Sequence, residues 1–115
     1  KVLTSPSAED LKSIFKDAFW VVDALVGTGQ KGVLRSPLDI VVRQINESGV
    51  KVLAVDLPSG LDADTGIASD PTIKATITAT MVTPKTGFQN PEAQAYLGNL
   101  TVVGIGLPKW LLPLS

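Results

Sequence analysis

The chain has 115 residues, a net charge of −1, 44% hydrophobic and 18% charged residues, and neither cysteine nor histidine. This is an ordinary globular composition, with enough chain for one domain or part of one. It excludes Ser-His-Asp triads, cysteine nucleophiles, disulfide scaffolds and zinc sites built on His or Cys. A metal here must be a hard cation on oxygen ligands, and proton transfer must use Asp, Glu, Lys, Tyr or water. Lysines and arginines are scattered, so no nucleic-acid patch is expected. No apolar run nears the roughly 20 residues that span a bilayer. No signal peptide is visible, and a cytoplasmic protein is expected. The sequence opens at Lys1 without a methionine, which reads as a processed or partial chain.

Helical and strand-like patterns alternate along the chain. A short strand at Lys1–Leu3 is possible. Ser7 precedes Asp10 by three residues, a helix start, and Leu11, Ile14, Phe15 and Ala18 then mark one helical face. The apolar run Phe19–Leu25 predicts a strand covered on both faces, with Trp20 as a packing residue. Ser36-Pro37-Leu38-Asp39 opens a second helix with Pro37 at its first position, and Ser48-Gly49 closes it. Val50–Val55 predicts a second buried strand, so helix, strand, helix, strand implies a parallel crossover. In the third strand, Lys74–Val82, Ala75, Ile77, Ala79 and Met81 alternate with Thr76, Thr78 and Thr80. Residues 83–96 hold Pro84, Gly87 and Pro91 and read mostly as loop. Leu100–Ile105 is a last strand, ended by Gly106-Leu107-Pro108, and Trp110 in the tail reads as packing. Two helices are too few to cover four parallel strands on both faces, so much of the expected domain lies upstream of Lys1.

Two of the strands end in an acidic residue followed by a glycine-containing loop. Asp23 precedes Gly27-Thr28-Gly29-Gln30-Lys31-Gly32, and Asp56 precedes Leu57-Pro58-Ser59-Gly60. Ligands of open α/β sheets bind at this edge, which suggests one site assembled from two loops. Gly27, Gly29 and Gly32 satisfy G-x-G-x-x-G, and Asp56 follows at about the distance of a ribose-binding acid, about 20 residues. However, helix signals begin only at Ser36, and Asp23 stands where the dinucleotide motif is apolar. The better reading is an anion cradle built by the glycines with Thr28 and Lys31. The plain structural reading makes Asp23 a cap for nearby backbone N–H groups, and Asp56 with Ser59 an Asx-type turn through Pro58 and Gly60. Taken together, oxygen groups at adjacent strand ends suit an alkali or alkaline-earth cation or a polar ligand. Asp62 and Asp64 read as turn-capping, solvent-facing residues.

The run from Val22 to Gly32, V-D-A-L-V-G-T-G-Q-K-G, and that from Val55 to Gly66, V-D-L-P-S-G-L-D-A-D-T-G, resemble the YjeF N-terminal domain, the NAD(P)HX epimerase family. Lys85-Thr86-Gly87 and Gly104-Ile105-Gly106-Leu107-Pro108 extend the resemblance over Trp20 to Pro108. It implies a Rossmann-like three-layer α/β/α fold with a mainly parallel sheet, of which residues 1–115 are the C-terminal part. It implies an isomerase of nicotinamide cofactor repair, interconverting the R and S forms of hydrated NADH and NADPH and feeding an ATP- or ADP-dependent dehydratase, fused or separate. By position Asp23 and Ser59 would bind a potassium ion, and Gly27, Thr28, Gly29, Gln30, Lys31, Gly32 and Val33 would hold the substrate's phosphates and ribose. Asp56 would contact the damaged nicotinamide and shuttle a proton. The family's first half also carries a glycine- and asparagine-rich loop of the N-N-G-G-D-G type, which nothing in this chain matches.

Two other readings stand beside this one. Some relatives look like non-catalytic dimerisation and interaction modules, and a homodimer is compatible with either role. The joint presence of Asp23, Asp56 and Ser59 argues against a pure scaffold. An ordinary NAD-binding Rossmann fragment fits less well, because the helix starts late after Gly32.

Overall fold

The computed structural model describes residues 7–26 and 32–104. The possible strand at Lys1–Leu3, Ile105, the Gly106–Pro108 stop and Trp110 lie outside the described residues. Helix α1 spans Ala8–Lys16. Ser7 Oγ accepts the Asp10 N–H and Asp10 Oδ2 accepts the Ser7 N–H, both at 3.2 Å, so two otherwise unpaired donors are satisfied. Leu11 and Phe15 are buried as the spacing predicts, but Ile14 is exposed. Strand β1 is Trp20–Asp23 and helix α2 is Leu38–Ser48. Pro37 is the N-cap rather than the first helical residue, its carbonyl accepting the Val41 N–H at 3.1 Å. Gly49 ends α2 at φ 72°, the left-handed conformation that glycine adopts without strain.

Strands β2 (Lys51–Val55), β3 (Ile77–Met81) and β4 (Asn99–Val103) complete a four-stranded sheet in the order β1-β2-β3-β4, with every neighbouring pair parallel. The fold is α/β. The stretch expected to be mostly loop is instead largely short helices: single 3₁₀ turns at Thr86–Gln89 and Pro91–Ala93, then α3 at Gln94–Leu97. Its prolines do not prevent this. Pro91 sits in a first turn, where its missing N–H costs nothing, and Asn90 Oδ1 caps the same turn by accepting the Glu92 N–H at 3.0 Å.

One core cluster joins α1 and α2 to the sheet through Leu11, Phe15, Val42, Ile45, Val52 and Ile73. A second gathers Leu57, Leu61, Phe88, Ala93 and Leu97. In β3 the threonines form the inner face: Thr78 and Thr80 are fully buried, while Ile77, Ala79 and Met81 are half-buried. Threonine is β-branched and suits a strand, and each hydroxyl has a partner. Thr78 donates to the Leu97 carbonyl at 2.7 Å and Thr80 to the Asp56 carboxylate at 3.1 Å.

The expectation that β1 is covered on both faces is corrected. Among the described residues Trp20 and Val22 are 46% and 60% exposed, and the Lys51 ammonium lies over the Trp20 ring. The strand pleat and register place Trp20 and Val22 on one face with Leu53, Val55, Ile77, Ala79, Met81 and Val103. Helices α1 and α2 pack on the opposite face, so the third layer of an α/β/α sandwich is not among the described residues. No helix among those residues is long and apolar enough to cross a membrane.

Candidate functional site at two acidic strand ends

Asp23 ends β1 beside β2, where its register partner is Ala54. Its side chain turns inward and is 1% exposed. Ser59, fully buried in the turn after β2, donates its hydroxyl to Asp23 Oδ1 at 2.6 Å and its backbone N–H to Oδ2 at 2.8 Å. The Leu25 N–H adds a longer contact of 3.3 Å to Oδ1. Both carboxylate oxygens therefore have donors, but neutral ones. Among the described residues no cationic side chain pairs with Asp23. Asp23 and Ser59 thus bring together oxygen donors of the hard kind. No cluster of three or more His, Cys, Asp or Glu side chains exists among the described residues, so no multi-carboxylate divalent cage is formed there.

Asp56 follows β2 directly and behaves differently. Its φ of 72° is left-handed, and its N–H bonds the Ala79 carbonyl at 2.8 Å. Asp tolerates this conformation better than most residues, though at some cost. The Asx-type turn through Pro58 and Gly60 is not what forms. The Leu61 N–H closes that turn on the Pro58 carbonyl at 3.1 Å, while the Asp56 carboxylate swings toward β3. There Oδ1 accepts from Thr80 Oγ1 and the Met81 N–H, each at 3.1 Å, and pairs with Lys85 Nζ at 2.7 Å. Partial burial pushes the carboxyl up, but Lys85, the Met81 N–H and the Thr80 hydroxyl outweigh it and hold Asp56 below the usual carboxylate range.

Lys85 is the residue that sequence reasoning missed. The available signal was its place in Lys85-Thr86-Gly87, a run that shares its resemblance with Val55–Gly66. These two runs interlock. Asp62 Oδ1 accepts from Asp64 N–H at 2.8 Å and Thr65 N–H at 3.0 Å, the turn-capping role expected of it. The Gly87 N–H then bonds the Ala63 carbonyl at 2.7 Å. Gly66 and Gly87 pack backbone to backbone, so a Cβ at Gly66 would run into the Gly87 carbonyl oxygen. This close approach requires glycine and fixes where Lys85 begins.

Of the remaining candidates, Gly27, Thr28, Gly29, Gln30 and Lys31 lie outside the described residues. Gly32 and Val33 line an open cavity of about 290 Å³ together with Gly60, Asp62 and Ser69 from the turn after β2. The loops after β1 and β2 thus meet, as two glycine loops at neighbouring strand ends predict. Asp56 does not line that cavity; it belongs with the loop after β3. The candidate groups thus lie after three strands, β1, β2 and β3.

Comparison with known proteins identifies the family of the chain. The family model described as "YjeF-related protein N-terminus" matches residues 1–87. The chain is 42% identical over 108 residues to a protein of Pirellula staleyi named NAD(P)H-hydrate epimerase, covering 94% of this chain and 48% of that one. It is 44% identical over 98 residues to a Bifunctional NAD(P)H-hydrate repair enzyme Nnr of Pyrobaculum aerophilum, 85% of this chain and 20% of that one. The chain therefore spans about half the length of the epimerase it matches, and less of the bifunctional enzyme. The fold is similar to the crystal structure of yeast ynu0, with a TM-score of 0.69 and 24% identity over 94% of this chain and 46% of the yeast one. With its two acidic strand ends, its interlocked glycine turns and a family match over most of its length, this chain belongs to the YjeF-related protein N-terminus family.

Proposed function

We propose that the protein containing this chain epimerises hydrated NADH and NADPH, and that residues 1–115 are the C-terminal part of the epimerase domain. The relatives' names and the uncovered sheet face support this reading. The carrying observation is Asp56, an ionised carboxylate at the ligand edge of a parallel sheet.

The chemistry follows from the substrate. A dihydronicotinamide ring is an enamine, so hydration puts the hydroxyl on a carbon bonded to the ring nitrogen. The nitrogen lone pair expels that hydroxyl once it is protonated, leaving a planar iminium, and water adds back to either face. The protein must hold the ring, stabilise the cation and manage one proton. Asp56 supplies the negative charge opposite the iminium. Its depressed pKa leaves it without a proton to give, so its part is electrostatic and as an acceptor. Gly32 and Val33, with the loop before them, would hold phosphates and ribose. Asp23 and Ser59 would hold potassium, whose charge favours the anionic part of the substrate. The bifunctional repair enzymes among the relatives support a link to a second repair activity, which would be a dehydratase, fused or separate, that consumes the product.

The test is the intact gene product assayed for R-to-S interconversion by chromatography that separates the two hydrates. Asp56→Ala is expected to lower turnover on the order of 10²-fold or more. Undiminished turnover in that variant would overturn the reading.

A further inference from the structure

We propose that Lys85 is the proton donor of this site, handing an Nζ proton to the departing hydroxyl and recovering it from the water that adds back. The assignment rests on the epimerase reading. Nζ lies 2.7 Å from Asp56 Oδ1, and the two side chains are 20% and 24% exposed, so the pair is reachable rather than sealed. Lys85 also lines an open recess of about 440 Å³ with Ala63, Asp64, Pro84 and Thr86.

The backbone around the pair is arranged at a cost. Among the described residues the non-glycine positions with positive φ are Asp56 at 72° and Val82 at 66°. Both sit at this pair. Val82 is the centre of a three-residue turn, closed by the Thr83 N–H on the Met81 carbonyl at 2.8 Å, which reverses the chain just after the N–H that binds Asp56. Such a turn is rare and strained, more so with a β-branched residue. Beyond it, the Phe88 N–H holds the Lys85 carbonyl at 3.0 Å, and the Gly66–Gly87 contact fixes the following turn. A partly exposed ion pair that merely staples a loop contributes too little to explain two strained residues. Strain of this kind clusters where geometry serves a function.

The proton balance singles out the lysine. Asp56 is held ionised and accepts from three donors. An ammonium is a far stronger acid than water, so it can protonate a leaving hydroxide. As the C–O bond breaks, its electron pair stays on oxygen, which takes the Nζ proton and leaves as water. The ring nitrogen's pair forms the C=N bond, and Lys85 becomes a neutral amine. In the return step water attacks the opposite face, its proton passes back to Nζ through solvent water, and the ring nitrogen regains its pair. Charge is conserved throughout, and Asp56 faces the single positive charge in both states.

The experiment uses the intact gene product and its Lys85→Arg and Lys85→Met variants. Turnover is read on the hydrated cofactor and binding on ADP-ribose by thermal shift. Arginine keeps the charge and the pair to Asp56 but is a very poor acid. Lys85→Arg is expected to keep ADP-ribose affinity within about twofold while kcat falls on the order of 10²–10⁴-fold. Lys85→Met should be no more active. A Lys85→Arg protein with near-wild-type kcat overturns the donor role and leaves Lys85 a staple, as does a loss confined to KM. A wild-type protein with no epimerase activity overturns the proposed reaction and this role with it. Should Lys85→Met fail to fold, Lys85→Arg alone decides.

Discussion

Asp23 and Asp56 end adjacent strands of one parallel sheet, yet they form opposite kinds of site. Asp23 keeps an extended backbone, points into the core and is held by the neutral donors of Ser59 and Leu25. Asp56 takes a left-handed backbone, turns along the sheet edge toward β3 and is held by an ammonium. The residue type and the edge are shared, so one backbone angle and the register of the next loop decide the chemistry. The sealed carboxylate is the one proposed to hold a cation, and the open one, with its lysine, the one proposed to take part in moving a proton.

The largest way to break the comparison is to break the frame that separates the two sites. Gly66→Ala puts a methyl group into the Gly87 carbonyl at a left-handed position, φ 74°. Overpacking against backbone, added to the φ penalty, should cost about 3–5 kcal/mol in urea denaturation. An unchanged midpoint would mean that the two turns separate freely and do not set Lys85.

Next in size is a direct contrast between the carboxylates. Asp23→Ala leaves the fully buried Ser59 hydroxyl and N–H without their acceptor, a loss of about 2–4 kcal/mol. Asp56→Ala strands the buried Thr80 hydroxyl, but Lys85 and the Met81 N–H are partly exposed, so a smaller loss of about 1–3 kcal/mol is expected. Equal losses would show that burial does not distinguish the sites. The same contrast gives potassium a readout that does not depend on turnover. Stabilisation of the intact protein by added potassium should vanish in Asp23→Ala and persist in Asp56→Ala.

Much of this was legible in the sequence because it is local. Ser7 and Asp10 spell a capping box, Gly49 a helix end, and the acidic strand ends stand beside their glycine loops. The closeness of Asp23 and Ser59 follows from adjacent parallel strands. What was not legible depends on contacts distant in the chain. Nothing in Met81-Val82-Thr83 announces a strained turn, because a β-branched residue argues for extended backbone there. Without that turn the partnership of Lys85 with Asp56 is invisible. The inward face of β3 was equally hidden: threonine is polar by composition, but the Leu97 carbonyl and the Asp56 carboxylate satisfy Thr78 and Thr80 inside. The face carrying Trp20 and Val22 cannot be told from a covered one in the sequence, because an apolar run looks the same whether or not its cover is present.

Acid sharpens the comparison more gently. Asp56 has its pKa lowered on folding, so its contribution to stability is present above the unfolded value, about 4, and is lost as pH falls through the folded value below that. The stability difference between wild type and Asp56→Asn should therefore be flat from pH 5 to 8 and shrink below about pH 4. A difference that changes between pH 5 and 8 would mean Asp56 is not held ionised by Lys85.

The smallest expected effect tests whether strain belongs to the open site. Val82→Gly relieves a left-handed valine, worth about 1–2 kcal/mol. It also gives up a half-buried side chain, worth about 1 kcal/mol, and frees the unfolded chain by about 0.5–1 kcal/mol. These terms oppose one another, so the net change in stability should lie within about 1 kcal/mol of zero. Turnover should not be so forgiving, because a glycine at this turn loosens the path from Met81 to Lys85 and with it the 2.7 Å contact to Asp56. Misplacement by about 1 Å can cost on the order of 10²-fold in rate. Falling turnover at constant stability would tie the strain to the position of the ammonium. Full activity would make the left-handed valine a by-product of chain reversal, and the Asp56–Lys85 pair would then owe its geometry to the Gly66–Gly87 interlock alone.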